Sequence, residues 1–225
     1  MKENDFVVIP ATERHIGYSQ QICDEMEESA KARGTGIAKR SPDYVSNKML
    51  EGKAVIALHN DGTWAGFCYI ETWSHGQFVA NSGLIVNPEF RKAGLAKRIK
   101  TVIFELSRSK YPDAKIFGLT TGLAVMKINS DLGYEPVTYS ELTQDEDFWK
   151  GCQSCVNYDI LISKGRKNCL CTAMLWDPVE KQREAEAKIS KITKKASLLE
   201  RIENRLRRTA KMATSSLLST KLLGN

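Results

Sequence analysis

Four of the six cysteines fall within twenty positions, as Cys152-x2-Cys155 and Cys169-x-Cys171, with 13 residues between the pairs. Four thiolates in two close pairs suit a tetrahedral zinc held in a hairpin. A CxxC alone suits thiol–disulfide chemistry, and with neither role the four are small apolar side chains. A closed four-thiolate site has no open coordination position, so a zinc there would be structural. A second stretch offers different chemistry. Leu84-Ile85-Val86 reads as a strand, and Arg91-Lys92-Ala93-Gly94-Leu95-Ala96 as the Gly-containing turn that opens the next helix. Successive backbone N–H groups at such a start, with the positive end of the helix dipole, form an anion nest. Gly94 lets a phosphate approach the backbone, while Arg91, Lys92 and Lys97 add positive charge. Two further sets could move protons or grip a carboxylate. Glu71 and His75, at the end of AGFCYIETW, are candidate general bases, the plain alternatives being a strand-end carboxylate and a loop imidazole. Arg40 could hold an acceptor carboxylate through two parallel hydrogen bonds, the alternative being a solvated arginine ahead of a helix. His15 and His59 read as surface residues, and Cys23, Cys68 and Tyr134 as core.

The elements that must position these residues follow from periodicity and punctuation. FVVIP (6–10) reads as a strand, and a helix capped by Thr12 runs to about Arg33, broken by Gly34 and Gly36. Ser41-Pro42 opens a second helix that ends at Gly52. KAVIALH (53–59), AGFCYIETW (65–73) and FVANSGLIV (78–86) form a meander, with an Asp-Gly turn at 60–63. An amphipathic helix from about Arg91 to Lys110 comes next. It is followed by a strand AKIFGLTT (114–121), a helix from about Leu123 to Leu132 and a strand YEPVTY (134–139). This order predicts an α/β domain, a mixed sheet flanked by helices, over 1–145. Residues 146–177 read as a Cys-rich hairpin that completes the domain, NYDILIS being its strand. Residues 178–225 read as a basic amphipathic helical tail, with Ile189, Ile192, Ala196, Leu199, Ile202 and Leu206 in a narrow apolar stripe.

Composition bounds the rest. At 225 residues and 42 % hydrophobic, the chain can bury one good core. No apolar run approaches the roughly 20 residues needed to span a bilayer. MKENDFVVIP lacks the basic-then-apolar pattern of a secretory signal, so a cytoplasmic location and no membrane partner are expected. The net charge of +6 is uneven: residues 178–225 hold 12 Lys/Arg against 5 Asp/Glu, and residues 1–177 hold 21 against 22. A basic tail suggests an acidic partner such as a nucleic acid. With no aromatics interleaved, the tail reads instead as a charged helix that packs or self-associates, giving a homo-oligomer.

Arg-x-x-Gly-x-Ala at 91–96, after a strand ending in Val86-Asn87-Pro88 and ahead of Leu132-Gly133-Tyr134, resembles the GNAT superfamily of acyl-CoA N-acyltransferases. The element order is similar over about residues 5–140. Within that superfamily, IFGLTTGLAVMKINSDLGYEPV (116–137) and Lys39-Arg40-Ser41 resemble the acetyltransferase domain of bacterial N-acetylglutamate synthases. The resemblance implies that 91–96 binds the pyrophosphate of coenzyme A and that Leu84, Ile85 and Val86 pair with its pantetheine arm. It also implies that Arg40 helps hold a substrate carboxylate. Two departures stand out. The tyrosine that many of these enzymes use as general acid is replaced by Asn129, and the glutamate that synthases often carry before the turn falls near Ala80.

The implied reaction is transfer of an acetyl or similar short acyl group, succinyl included, from coenzyme A to the amine of an amino acid, with glutamate in arginine biosynthesis as the first candidate. Its requirements are a neutral, aligned amine, a stabilised oxyanion (a backbone N–H near Ile85 or Val86) and a base. Two rivals stand beside it. One is a nucleic-acid-binding zinc ribbon with a basic tail, and the other is a coenzyme A sensor that has lost catalysis with its tyrosine.

Overall fold

The structure, a computed structural model, describes residues 5–34 and 39–222; within that range nothing is said of the side chains at 33, 197, 198, 202 and 204–222. The predicted break at Gly36 and the side chains of Ile202 and Leu206 therefore lie outside the description. Residues 1–178 form one compact unit and 179–225 a second.

The first unit is built on a seven-stranded mixed sheet in the order β1-β2-β3-β4-β5-β7-β6. The strands are β1 (Phe6–Pro10), β2 (Ala54–His59), β3 (Trp64–Trp73), β4 (Phe78–Val86), β5 (Lys115–Thr120), β6 (Glu135–Val137) and β7 (Thr172–Trp176). β1 to β4 pair antiparallel, β5 joins β4 in parallel, and β7 lies antiparallel between β5 and β6. The meander and the parallel step were both expected. A strand at 172–176 was not, and neither was its place inside the sheet.

Three apolar clusters hold layers to this sheet. α1 (Ser19–Arg33) and α2 (Pro42–Leu50) cover one face with Ile22, Met26, Val45 and Met49 against Ile56, Phe67 and Tyr69. The Ser41 hydroxyl caps α2 by accepting from Tyr44 N at 3.2 Å, and Pro42 occupies the first helical position. Ahead of α1 the chain makes a 3-10 turn, Glu13–Tyr18, where Thr12 N donates to His15 Nδ1 at 2.9 Å. α3 (Leu95–Lys110) covers the other face with Leu95, Ile99, Ile103 and Phe104, and α4 (Leu123–Asp131) follows β5. α3 starts four residues later than its periodicity predicts, because Gly94 and Lys92 have left-handed φ of 75° and 69°.

The third cluster belongs to the cysteine-rich region. It is not a hairpin. α5 (Glu146–Lys150), a 3-10 turn (Gly151–Ser154) and α6 (Tyr158–Ser163) precede β7, so NYDILIS is helical. The apolar residues Tyr158, Leu161 and Ile162 sit 3–4 apart, a helical spacing hidden by β-branched content. Leu161, Trp149, Tyr139 and Leu142 bury against Ala80, Phe117 and Leu175, and Trp149 Nε1 donates to Thr143 O at 3.1 Å. Each such large side chain contributes about 1.5–3 kcal/mol, so packing alone can hold this cover on the sheet. The second unit consists of α7 (Pro178–Leu222) beyond its first residue, where Ile189, Ile192 and Leu199 are exposed. Among the described residues no helix is long and apolar enough to cross a membrane.

Candidate active site

The sheet splits where β4 leaves β5. These strands pair only at Phe78↔Lys115, Val79↔Ile116 and Ala80↔Phe117. From Asn81 to Val86 β4 continues against β3 alone, across a bulge: between the pairs Phe67↔Ile85 and Tyr69↔Ser82, one residue of β3 faces two of β4. Gly83 occupies the bulge with φ 63°, and a Cβ there would run into the Tyr69 ring and lie 2.8 Å from Met26 Cε. Only glycine fits. The bend turns β4 away and opens a cleft of about 980 Å³ between β4 and β5. The β5-side edge of β4 is left without a strand partner.

One end of this split leads to the turn at 91–96. No acceptor among the described residues takes the backbone N–H groups of residues 92–96. Nothing lies within 4 Å of a Cβ built on Gly94, so the space in front of the turn is open. Arg91 points elsewhere: its Nη2 donates to Glu25 Oε1 at 2.9 Å and to Ser29 Oγ at 2.7 Å, and its Nε donates to Val86 O at 3.2 Å. It ties the turn to α1. Lys97 pairs with Asp131 at 2.9 Å, while Lys92 is exposed and has no partner among the described residues.

The opposite wall is a charged network. Arg40 donates from Nε to Tyr69 Oη at 2.8 Å and from Nη2 to Glu71 Oε1 at 3.1 Å. The Tyr44 hydroxyl also donates to Glu71 Oε1, and Ser82 Oγ donates to Glu71 Oε2 at 3.3 Å. Glu71 is 8 % exposed, so it is a buried carboxylate with a full set of donors. Burial, and then the Glu71 carboxylate, hold the Tyr44 phenol well above its usual range, and burial lowers Lys48 beside it. Lys39, Arg40 and Lys48 all line the cleft here. Glu71 stands in register with Ala80. His75 lies elsewhere, exposed, with φ 56° in the turn Ser74–Gly76 and close to Asp145.

The cysteine-rich cover closes the cleft through Asp147, Phe148, Cys152, Cys155, Asn157 and Cys171. The predicted zinc staple finds no support there. Among the described residues no three Cys, His, Asp or Glu side chains are arranged to hold a metal ion. Two of the thiols make local contacts: Cys169 Sγ donates to Asn157 O at 3.7 Å, and Cys155 Sγ accepts from Asn157 N at 3.5 Å. Burial, followed by the neighbouring thiols, pushes Cys152 to about 11 and Cys171 to about 12. The helical course of 158–163 replaces the predicted strand, while Cys152 and Cys155 still neighbour Cys169 and Cys171.

The floor of the cleft was missed in the sequence. Asn81, Lys100 and Asn129 all line it, and they are 9 %, 2 % and 1 % exposed. Lys100 donates to Asn81 Oδ1 at 3.1 Å, Tyr134 Oη donates to the same oxygen at 3.1 Å, and Asn81 Nδ2 donates to Ser107 Oγ at 2.7 Å. The signal was available: position 100 falls with 103, 104 and 107 on the buried stripe of α3.

This arrangement is the fold of the GNAT acetyltransferases, and solved structures of that kind match it. The chain is 19 % identical to N-acetylglutamate synthase from Neisseria gonorrhoeae, solved with coenzyme A and N-acetyl-glutamate, over 76 % of this chain and 35 % of the synthase, with TM-score 0.54. It spans only about a third of that protein's length. Rv2747 from Mycobacterium tuberculosis, solved with CoA and NLQ, matches at 16 % identity and TM-score 0.52 over 76 % of this chain and 98 % of that one. The phosphinothricin acetyltransferase from Sinorhizobium meliloti, solved with AcCoA, matches at 14 % identity and TM-score 0.52 over 77 % and 88 %. At these identities the likeness establishes the fold. No family model matches the sequence, and no curated protein matches it.

Proposed function

We propose that the protein transfers an acetyl group, or another short acyl group, from coenzyme A to the amine of an amino acid. The observation that carries this reading is the split sheet leading to five consecutive backbone N–H groups at the start of α3 that are unpaired among the described residues. Those groups suit a pyrophosphate, and the free edge of β4 suits the amide-bearing pantetheine arm as an added strand. Ser82, Gly83 and Leu84 face the cleft along that edge, and an unpaired N–H there would hold the oxyanion of the tetrahedral intermediate. Glu71 would take the ammonium proton, directly or through a water, while Arg40, Lys39 and Lys48 attract the acceptor carboxylate. The cationic wall and the N-acetyl-glutamate bound by the gonococcal synthase make glutamate the first acceptor to test.

Calorimetric titration with coenzyme A tests the core of this reading. Gly94→Glu places bulk and negative charge before the nest and is expected to abolish binding while leaving the unfolding temperature within a few degrees. Binding that survives would overturn the reading. A thiol-release assay across amino acids separates a transferase from a coenzyme A sensor, since a sensor binds the nucleotide and releases no thiol. The exposed apolar stripe of α7 supports self-association through that helix, which sedimentation over a concentration series would test.

A further inference from the structure

Among the described residues, Lys100 is a buried cation with no counter-ion. Its side chain rises from α3 into the floor of the cleft and is 2 % exposed. Its one hydrogen-bond partner is the neutral Asn81 amide, and its Nζ lies 5.1 Å from the centre of the Tyr134 ring. No carboxylate pairs with it among the described residues. Isolated buried ammonium groups are costly, and proteins normally pair them or leave them out. The titratable groups facing it are Cys68 of β3 and Tyr134 after α4. Burial pushes the Cys68 thiol to about 11 and raises the Tyr134 phenol further, so both are neutral at physiological pH. The same burial lowers Lys100 to about 8. A second observation points into the same space: Asn129 Oδ1 is buried and has no hydrogen-bond partner. Two under-satisfied polar groups, on α3 and α4, thus line the fork where β4 and β5 part.

We infer that Lys100 is the proton donor to the coenzyme A sulfur, the role left vacant by Asn129 in the tyrosine's place. The inference rests on the acyltransferase reading. The neutral acceptor nitrogen attacks the thioester carbonyl carbon, the C–N bond forms, and the C–S bond breaks with its electron pair going to sulfur. Lys100 Nζ passes a proton to that sulfur, leaving coenzyme A as the thiol and Lys100 as the neutral amine. The proton lost by the acceptor nitrogen leaves through Glu71, and Lys100 recovers one from solvent as products depart. Asn81 Oδ1 aims the ammonium, and the Asn129 amide fills its vacancy by accepting from a bound group.

Lys100→Met keeps the length and removes the charge, and Asn81→Asp gives the ammonium an anionic partner in the same place. Two measurements distinguish the proposal from a structural role. The first is the ultraviolet thiolate absorbance of bound coenzyme A, titrated with pH in the full-length protein with no acceptor. The wild type is expected to hold that thiol at least about one pH unit below its value in Lys100→Met. The second is thiol release with the best acceptor. Lys100→Met is expected to lose about 100-fold or more in kcat and to lose the fall in rate above pH 8, with unchanged affinity for coenzyme A. Asn81→Asp is expected to move that alkaline fall to higher pH. Identical thiol titrations in wild type and Lys100→Met, or an alkaline limb that survives the substitution, would overturn the assignment while leaving the acyltransferase reading intact. Failure of wild-type protein to bind coenzyme A would remove both.

Discussion

Two buried polar clusters face the same cleft and differ in how their charge is handled. Around Glu71, a guanidinium and two hydroxyls satisfy a carboxylate that is 8 % exposed, and the cluster is nearly neutral. Around Lys100, the Asn81 amide, the Tyr134 phenol and the Cys68 thiol, all uncharged, surround an ammonium with no opposite charge among the described residues. The first cluster is the kind that holds a shape. The second keeps a proton cheap to release. An unpaired buried ammonium is displaced toward its neutral form. The cleft therefore has a charge-paired cluster on the β3 wall and an unpaired ammonium on its α3 floor.

The largest effect that would break this contrast is expected at Glu71. Glu71→Gln should lower kcat by about 100- to 10,000-fold if the carboxylate takes the acceptor's proton, with the coenzyme A dissociation constant unchanged. A variant with near-normal kcat and raised KM would make Glu71 a purely positional residue. Next comes the stability of the two cations. Arg40→Ala strands a buried carboxylate and should destabilise the fold by about 2–4 kcal/mol in urea unfolding. Lys100→Met should be neutral or stabilising at pH 7. If both substitutions destabilise alike, the two clusters are not different in kind. The pH dependence sharpens this further. Burial depresses the folded-state pKa of Lys100 below the ordinary lysine value, so between those two values the unfolded chain binds more protons. Wild-type stability should rise with pH from about 8 toward 10 relative to Lys100→Met, the penalty being fully present below that window. The smallest effect is at the bulge that lets both clusters see the cleft. Gly83→Ala should destabilise by about 1–3 kcal/mol through its clash with Tyr69, read as a lowered urea midpoint.

The turn at 91–96 was legible because it is written locally. Val86-Asn87-Pro88 ends a strand, Gly94 needs its left-handed φ, and Leu95, Ile99 and Ile103 mark one helix face; each signal lies within a few residues of its consequence. The bulge at Gly83 could be suspected from a glycine inside a strand pattern, although its effect depends on Tyr69 across the sheet. The Arg40–Glu71 cluster depends on such distant pairings. That Arg40 would meet Glu71, 31 positions later, follows only once α2 lies over β3. The hairpin expected of the cysteine region was wrong because NYDILIS is strand-like in composition, whereas Tyr158, Leu161 and Ile162 have the spacing of the helix they form. Lys100 went unnoticed because a lysine on a helix is read as solvated unless the wheel is checked position by position.

The strand order has a consequence for how the molecule comes into being. β6 (135–137) has one neighbour in the sheet, β7 (172–176), and β7 must slot between it and β5. A growing chain that has emerged through residue 145 therefore carries an edge at β5 and a loose segment after it. The sheet cannot finish until the cysteine-bearing stretch has been made and looped back. Closure of so long a loop is slow relative to hairpin formation, so the cleft should be the last part of the first unit to mature. The exposed edge of β5 makes that interval the molecule's most vulnerable to aggregation.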